Sequence, residues 1–117
     1  MGMHTRKLEP ATWTSYFDWI ARHFPALRAE VEVEGLDVGN QLASEAVVID
    51  GLSYDPYNRE VVVTATEVPF EHHIVDPQEI YVLEEAGQPS AIEIVDVHGS
   101  KQIVYVTPLR ELPPPPV

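Results

Sequence analysis

The residues most able to do chemistry lie in one short run. Glu71-His72-His73, followed by Asp76 and Glu79, gathers imidazoles and carboxylates, ligands suited to zinc or another transition metal. Adjacent histidines point about 100° apart on a helix and to opposite faces on a strand, so His72 and His73 rarely reach one ion together. Phe70, His73 and Ile74 have the spacing of a short helix at 70–76, closed by Asp76-Pro77. On that helix His72 and Asp76 lie one turn apart and make the better ligand pair. The same helix puts His73 on the stripe of Phe70 and Ile74, as a partly buried, hydrogen-bonded core histidine. His72, His73 and Asp76 are the candidate metal ligands, although their spacing lacks the separated pairs usual for zinc.

Other chemistry is thinner. Glu30, Glu32 and Glu34 line one face of a strand at steps of about 7 Å, which reads as a solvated face or a docking patch for a basic partner. The chain has no Gly-x-Ser-x-Gly, no His-Glu-x-x-His and no Gly-x-x-x-x-Gly-Lys. It has no cysteine, which removes disulfides, thiolate zinc sites, iron–sulfur clusters and cysteine nucleophiles. No catalytic residue and no cofactor are assigned. Among the aromatics, Trp19, Tyr57 and Tyr81 fall where exposure is expected, and they are the candidates for anchoring a partner.

The elements that would position these residues follow from pattern. Trp13, Tyr16, Phe17, Ile20 and Phe24 repeat at the spacing of one helical face, so the one long helix spans Pro10 to Phe24. Pro10 suits its first turn and Pro25 ends it. Arg28–Glu34 alternates as a half-buried strand with Ala29, Val31 and Val33 on the covered side. A strand at about 43–54, interrupted by Gly51, is joined to Glu60–Glu67 through Asp55-Pro56-Tyr57-Asn58. In that turn Asp starts, Pro fixes φ and Asn58 tolerates the left-handed position. Ile80–Glu85, Ala91–Val97 and Lys101–Thr107 complete the set, with His98-Gly99-Ser100 as a hairpin turn.

These elements predict an α+β fold. One N-terminal amphipathic helix packs on a curved, mainly antiparallel sheet of about six strands. The organisation is a flexible lead-in over 1–8, a single domain over 9–108 and a Pro-rich tail over 109–117, in which Pro113–Pro116 form a frayed polyproline II segment. Val47, Ile49, Val61, Val63, Ile80, Val82, Ile92, Ile94, Ile103 and Tyr105 are expected on the covered face. The last three strands are apolar on both faces, so an open sheet leaves a second apolar surface to be buried by curling, by the tail or by another subunit.

Order and spacing resemble a family at this point. Trp13 with Tyr16-Phe17 opens the pattern, and Leu52-Ser53-Tyr54-Asp55-Pro56 follows. Next come Phe70–Pro77, Pro77-Gln78-Glu79-Ile80-Tyr81-Val82, Ile92-Glu93-Ile94-Val95-Asp96, Gly99 and Gln102-Ile103-Val104. The chain is similar over most of 5–107 to a small bacterial family catalogued only as a domain of unknown function. The resemblance implies a compact bacterial domain and no particular activity.

The 117 residues carry a formal net charge of −12 with only seven scattered Lys and Arg, which predicts no nucleic-acid partner and no anionic membrane surface. No run of about 18 apolar residues and no signal peptide are visible, and a cytoplasmic location is expected. The first functional reading is a small acidic, non-catalytic interaction module with a protein partner or as a homodimer, through the second sheet face or an edge strand. The alternative is a small ligand- or metal-binding protein or minor enzyme using the His72-His73/Asp76 region.

Overall fold

The core is closed by side chains from one helix and two sheets meeting on a common apolar cluster. The computed structural model describes residues 3–32, 46–65 and 70–116. Strand β1 is Met3–Lys7, followed by a 3-10 turn at Pro10–Thr12, helix α1 at Trp13–Arg22 and a second 3-10 turn at Phe24–Ala26. Strands β2 (Leu27–Glu32), β3 (Ala46–Ile49), β4 (Gly51–Asp55), β5 (Glu60–Ala65) and β6 (Phe70–Val75) come next. Strands β7 (Pro77–Glu85), β8 (Gln88–Asp96) and β9 (Lys101–Pro108) end the fold. The larger sheet has the order β1-β7-β8-β9-β2-β3 and the smaller β4-β5-β6, with antiparallel pairing throughout both.

The expected α+β architecture is present: one amphipathic helix and a six-stranded antiparallel sheet. Trp13, Tyr16, Phe17 and Ile20 are buried as the stripe predicts, while Thr14, Asp18 and Arg22 face out. Trp13 and Phe17 pack on Tyr54 of β4, the Trp13 ring edge-on at 5.5 Å. The three-stranded second sheet departs from the single sheet expected. It arises because the strand expected at 43–54 breaks at Asp50 and changes sheets. Asp50 N donates to Thr64 O, and Thr64 Oγ1 donates to Asp50 Oδ1. A side chain at Gly51 would overlap Thr64 Oγ1 and so would have to displace the hydroxyl that bonds Asp50. The chain returns to the larger sheet at Asp76, whose φ is +54° and whose N–H donates to Arg59 O at 2.7 Å.

Several local expectations are corrected. The helix at 70–76 is strand β6, paired to β5 from Glu60↔Val75 to Ala65↔Phe70. Pairing to a valine-rich neighbour outweighs the weak helical spacing of one short apolar run. The flexible lead-in is largely strand β1, paired with β7 from Met3↔Glu85 to Lys7↔Tyr81. In the β4–β5 turn the left-handed residue is Arg59, at φ +56°, not Asn58. Asn58 instead caps Asp55, donating through its backbone N–H and its side-chain amide.

Of the expected covered face, Ile49, Val61, Val63, Ile80, Val82, Ile92 and Ile94 are buried. Ile103 and Tyr105 are not on that face. The β8–β9 hairpin sets Ile94 opposite Gln102 and Ile92 opposite Val104, so Gln102, Val104 and Val106 point inward. That register is fixed by Asp96, whose Oδ1 accepts from the N–H of His98 and of Ser100. The side chain of Val47, together with Val33, Glu34 and the Gly39-Asn40 turn, lies outside the described residues.

The Pro-rich tail is anchored rather than frayed at its start. Leu109 N donates to Ala26 O, and Leu112 exchanges two hydrogen bonds with the Gln88 side chain at 3.0 and 3.1 Å. The Leu112 side chain is 3% exposed and joins the same core cluster as Trp19 and Ile20. Leu112→Ala is expected to cost about 2–3 kcal/mol in urea unfolding, as for other buried leucines. An unchanged midpoint would mean that the tail contributes nothing to the core.

Candidate functional site

The strand β6 geometry decides the fate of the histidine run. Leu52, Val63 and His72 lie side by side across the smaller sheet, as do Ser53, Val62 and His73 in the next row. Leu52 and Val63 are core residues, so His72 faces inward and His73 faces solvent. Burial, followed by the neighbouring His73 charge, holds the His72 imidazole below its ordinary value. Asp76 sits at the sheet-changing corner and accepts two hydrogen bonds from Arg59, the shorter at 2.9 Å. The structure therefore does not bring His72, His73 and Asp76 together. Tyr54, inside against Trp13, is also on the opposite face from His73. Among the described residues no group of three or more His, Asp or Glu is placed to hold a metal ion.

His73 forms a different constellation, one that needed tertiary pairing to be seen. Its Nδ1 lies 2.7 Å from Glu60 Oε1 on β5, and its Nε2 lies 2.6 Å from Glu71 Oε2. Both ring nitrogens can donate only in the imidazolium, so the hydrogen bonds to Glu60 and then Glu71 raise its pKa. Such a group stabilises the fold fully below pH ~6.5, the unfolded value, and loses that contribution as pH rises through the folded value. NMR titration of the His73 ring should give a midpoint above 6.5, and Glu60→Gln with Glu71→Gln should return it toward that value. A wild-type midpoint at or below 6.5 would contradict the geometry.

A buried charge group explains why β1 is held as an edge. Glu84 is the charged residue buried on the inner face of β7, its side chain 8% exposed. Arg6 donates to it through Nε at 3.3 Å and Nη2 at 3.0 Å, and His4 Nε2 lies 3.6 Å away. The same guanidinium stands 5.9 Å from the centre of the Tyr16 ring. The Tyr16 hydroxyl is buried without a hydrogen-bond partner, and burial pushes its pKa upward. This is a carboxylate neutralised from a neighbouring strand. Arg6→Met, which strands the carboxylate, is expected to cost about 2–3 kcal/mol in urea unfolding. Arg6→Met with Glu84→Met should recover most of that loss. Equal stability of the single variant and the wild type would show that the pair does not hold β1.

Of the aromatic candidates, Trp19 is corrected. It is 4% exposed, packed between the tilted rings of Tyr16 and His23 with ring centres 6.0 and 4.8 Å away. The covered stripe of α1 is wider than the four residues that define its centre. Tyr57 is 95% exposed at the tip of the β4–β5 turn. Tyr81 is half-buried on the outer face of the larger sheet and donates its hydroxyl to Glu79 at 3.0 Å.

Tyr81 belongs to a surface that the covered-face expectation concealed. By strand alternation the outer face of the larger sheet carries the row Leu83–Ala91–Tyr105–Glu30–Val48 and, beside it, Lys7–Tyr81–Glu93–Ile103. Val95 and Lys101 lie opposite each other one row further on. Leu83, Tyr81, Ile103 and Val95 are half-buried, and Tyr105 and Val48 are about two-fifths exposed. Three of the seven basic residues stand here, each beside a glutamate: Lys7–Glu79 at 3.5 Å, Arg28–Glu30 at 3.2 Å and Lys101–Glu93 at 3.9 Å. The signal for this face in the sequence was the two-sided apolar character of β7, β8 and β9.

The model of a family of unknown function, DUF5335, matches residues 4–115. The chain belongs to this family. It is also 35% identical over 111 residues to an uncharacterized protein of Aquifex aeolicus (strain VF5), covering 95% of this chain and 99% of that one. No solved structure matches the chain. Among the described residues no helix is long and apolar enough to cross a membrane.

Proposed function

We propose that this member of the family is a non-catalytic binding module that docks a protein on the outer face of its six-stranded sheet. The observation that supports this reading is the cross-strand row Leu83–Ala91–Tyr105 with Tyr81 and Ile103 beside it, turned away from a core that is already closed by α1 and the smaller sheet. Contiguous apolar side chains on a solvated sheet face are the usual mark of an interaction surface. Two tyrosines at its centre suit an anchor role, since each combines a large apolar ring with a polar tip. The imidazoles and carboxylates, by contrast, are divided between faces or used in ion pairs within the fold.

The test is a photo-crosslinking amino acid placed at position 105, and in a second variant at position 53 on the outer face of the smaller sheet. A discrete protein adduct from position 105, absent from position 53, is the expected outcome. Equal labelling from both positions, or none from position 105, would contradict the reading.

A further inference from the structure

We infer that β1 is a ligand supplied by its own chain. It fills a slot on the edge of β7 that takes an extended, arginine-bearing peptide, and a basic strand of a partner protein can replace it there. This surface is separate from the outer face of the larger sheet and does not depend on the docking reading above.

Polar groups alone fasten β1. Met3, His4, Thr5 and Lys7 are exposed and Arg6 is half-buried, so the strand adds no apolar side chain to the core. Apolar burial begins at Leu8, whose N–H donates to Ile80 O at 2.8 Å. Beyond its backbone ladder with β7, the strand is held by Arg6 on Glu84, with His4 3.6 Å from the same carboxylate. The remaining pair, Lys7–Glu79 at 3.5 Å, is exposed and adds little. A segment with so few buried apolar contacts opens ahead of the core.

The walls of the slot belong to other elements. Glu84 lies on β7, which is paired along its other edge to β8 from Pro77↔Asp96 to Glu85↔Gln88. Tyr16 lies on α1 and is packed against Phe17 and Trp19, with ring centres 6.4 and 6.0 Å away. When β1 lifts, the edge of β7 from Tyr81 to Glu85 presents unpaired backbone groups to another strand. Addition of an extended peptide to such an edge is a general mode of recognition, with side-chain pockets supplying the specificity.

Here the pocket selects a guanidinium. Glu84 accepts from both Nε and Nη2 of Arg6, at 3.3 and 3.0 Å, a fork that an ammonium group cannot present. The same guanidinium stands 5.9 Å from the centre of the Tyr16 ring, where cation–π attraction reinforces the ion pair. The Tyr16 hydroxyl is buried without a hydrogen-bond partner among the described residues, and the charges acting on it are those of Glu84 and Arg6. The chain's own strand thus leaves a buried donor of the slot unmet, which a strand bearing an acceptor there would satisfy. Charge favours the same class of partner: the chain carries −12, whereas β1 holds two of its seven Lys and Arg. The ligand is an extended basic segment whose arginine stands opposite Val82.

Tethering gives β1 an effective concentration on the order of millimolar, so the wild-type chain should exchange its strand only weakly. The test uses the full chain and a fluorescent peptide with the sequence of residues 3–8, read by anisotropy, with circular dichroism confirming the fold of each variant. Arg6→Met should bind this peptide about tenfold more tightly than the wild type, or better, because its own strand no longer fills the pocket. Arg6→Lys takes its place if Arg6→Met does not fold. A peptide with lysine in place of its arginine should bind about tenfold more weakly than the original, and Arg6→Met with Glu84→Gln should lose the preference for arginine. In the wild type, the amides of β1 should exchange with deuterium about tenfold faster than those of β8. Equal affinity for the arginine and lysine peptides would reduce the effect to general charge attraction and overturn the proposal. An Arg6→Met chain that binds no more tightly than the wild type, or β1 amides as protected as those of β8, would also overturn it.

Discussion

A single ten-residue helix can cover one face of a sheet and no more, and that limit governs the molecule. Strands β7, β8 and β9 are apolar on both faces. On the inner side, α1, the smaller sheet and Leu112 complete the core with Ile80, Val82, Ile92, Ile94 and Val104. Each such fully buried aliphatic side chain contributes about 1.5–3 kcal/mol. The outer side receives nothing from the described residues of the chain beyond the mutual contact of its own neighbours. On the proposed reading a docked protein completes it.

Charge within the fold is used for positioning. Glu84 is buried and is neutralised by Arg6 from the edge strand, so β1 is held by an ion pair where its own sequence offers little apolar area. Arg59 and Asp76 fix the corner where the chain returns to the larger sheet. The His73 ring ties β5 to β6 through Glu60. Residues that look chemical in a linear reading thus act as cross-strand fasteners, and their exposed ends contribute little beyond geometry.

Much of this architecture was legible in the residues. The stripe from Trp13 to Ile20, the alternation of Ala29 and Val31, and the Asp55-Pro56 and His98-Gly99 turns each carry a local physical signal, and each element is present. Loss of legibility begins where the deciding contact is remote. Met3–Lys7 lacks apolar alternation, and its partner Glu84 is 78 residues from Arg6. Phe70, His72 and Ile74 alternate as a strand just as Phe70, His73 and Ile74 step as a helix, and only pairing with β5 separates the two periods. Ile103 and Tyr105 compete evenly with Val104 and Val106 for the core, and a hairpin register set by Asp96 decides between them. The same ambiguity hides the candidate surface in the sequence, because an apolar residue in a strand fits an inner or an outer face equally well.

The central claim is that the outer face of the larger sheet is covered in the working molecule while the rest of the surface stays wet. Hydroxyl-radical footprinting of Tyr57, Tyr81 and Tyr105, in the purified chain and in cells that express it, tests it most directly. The account predicts that oxidation of Tyr81 and Tyr105 relative to Tyr57 is lower in cells than in the purified chain. Parallel behaviour of all three tyrosines would contradict it.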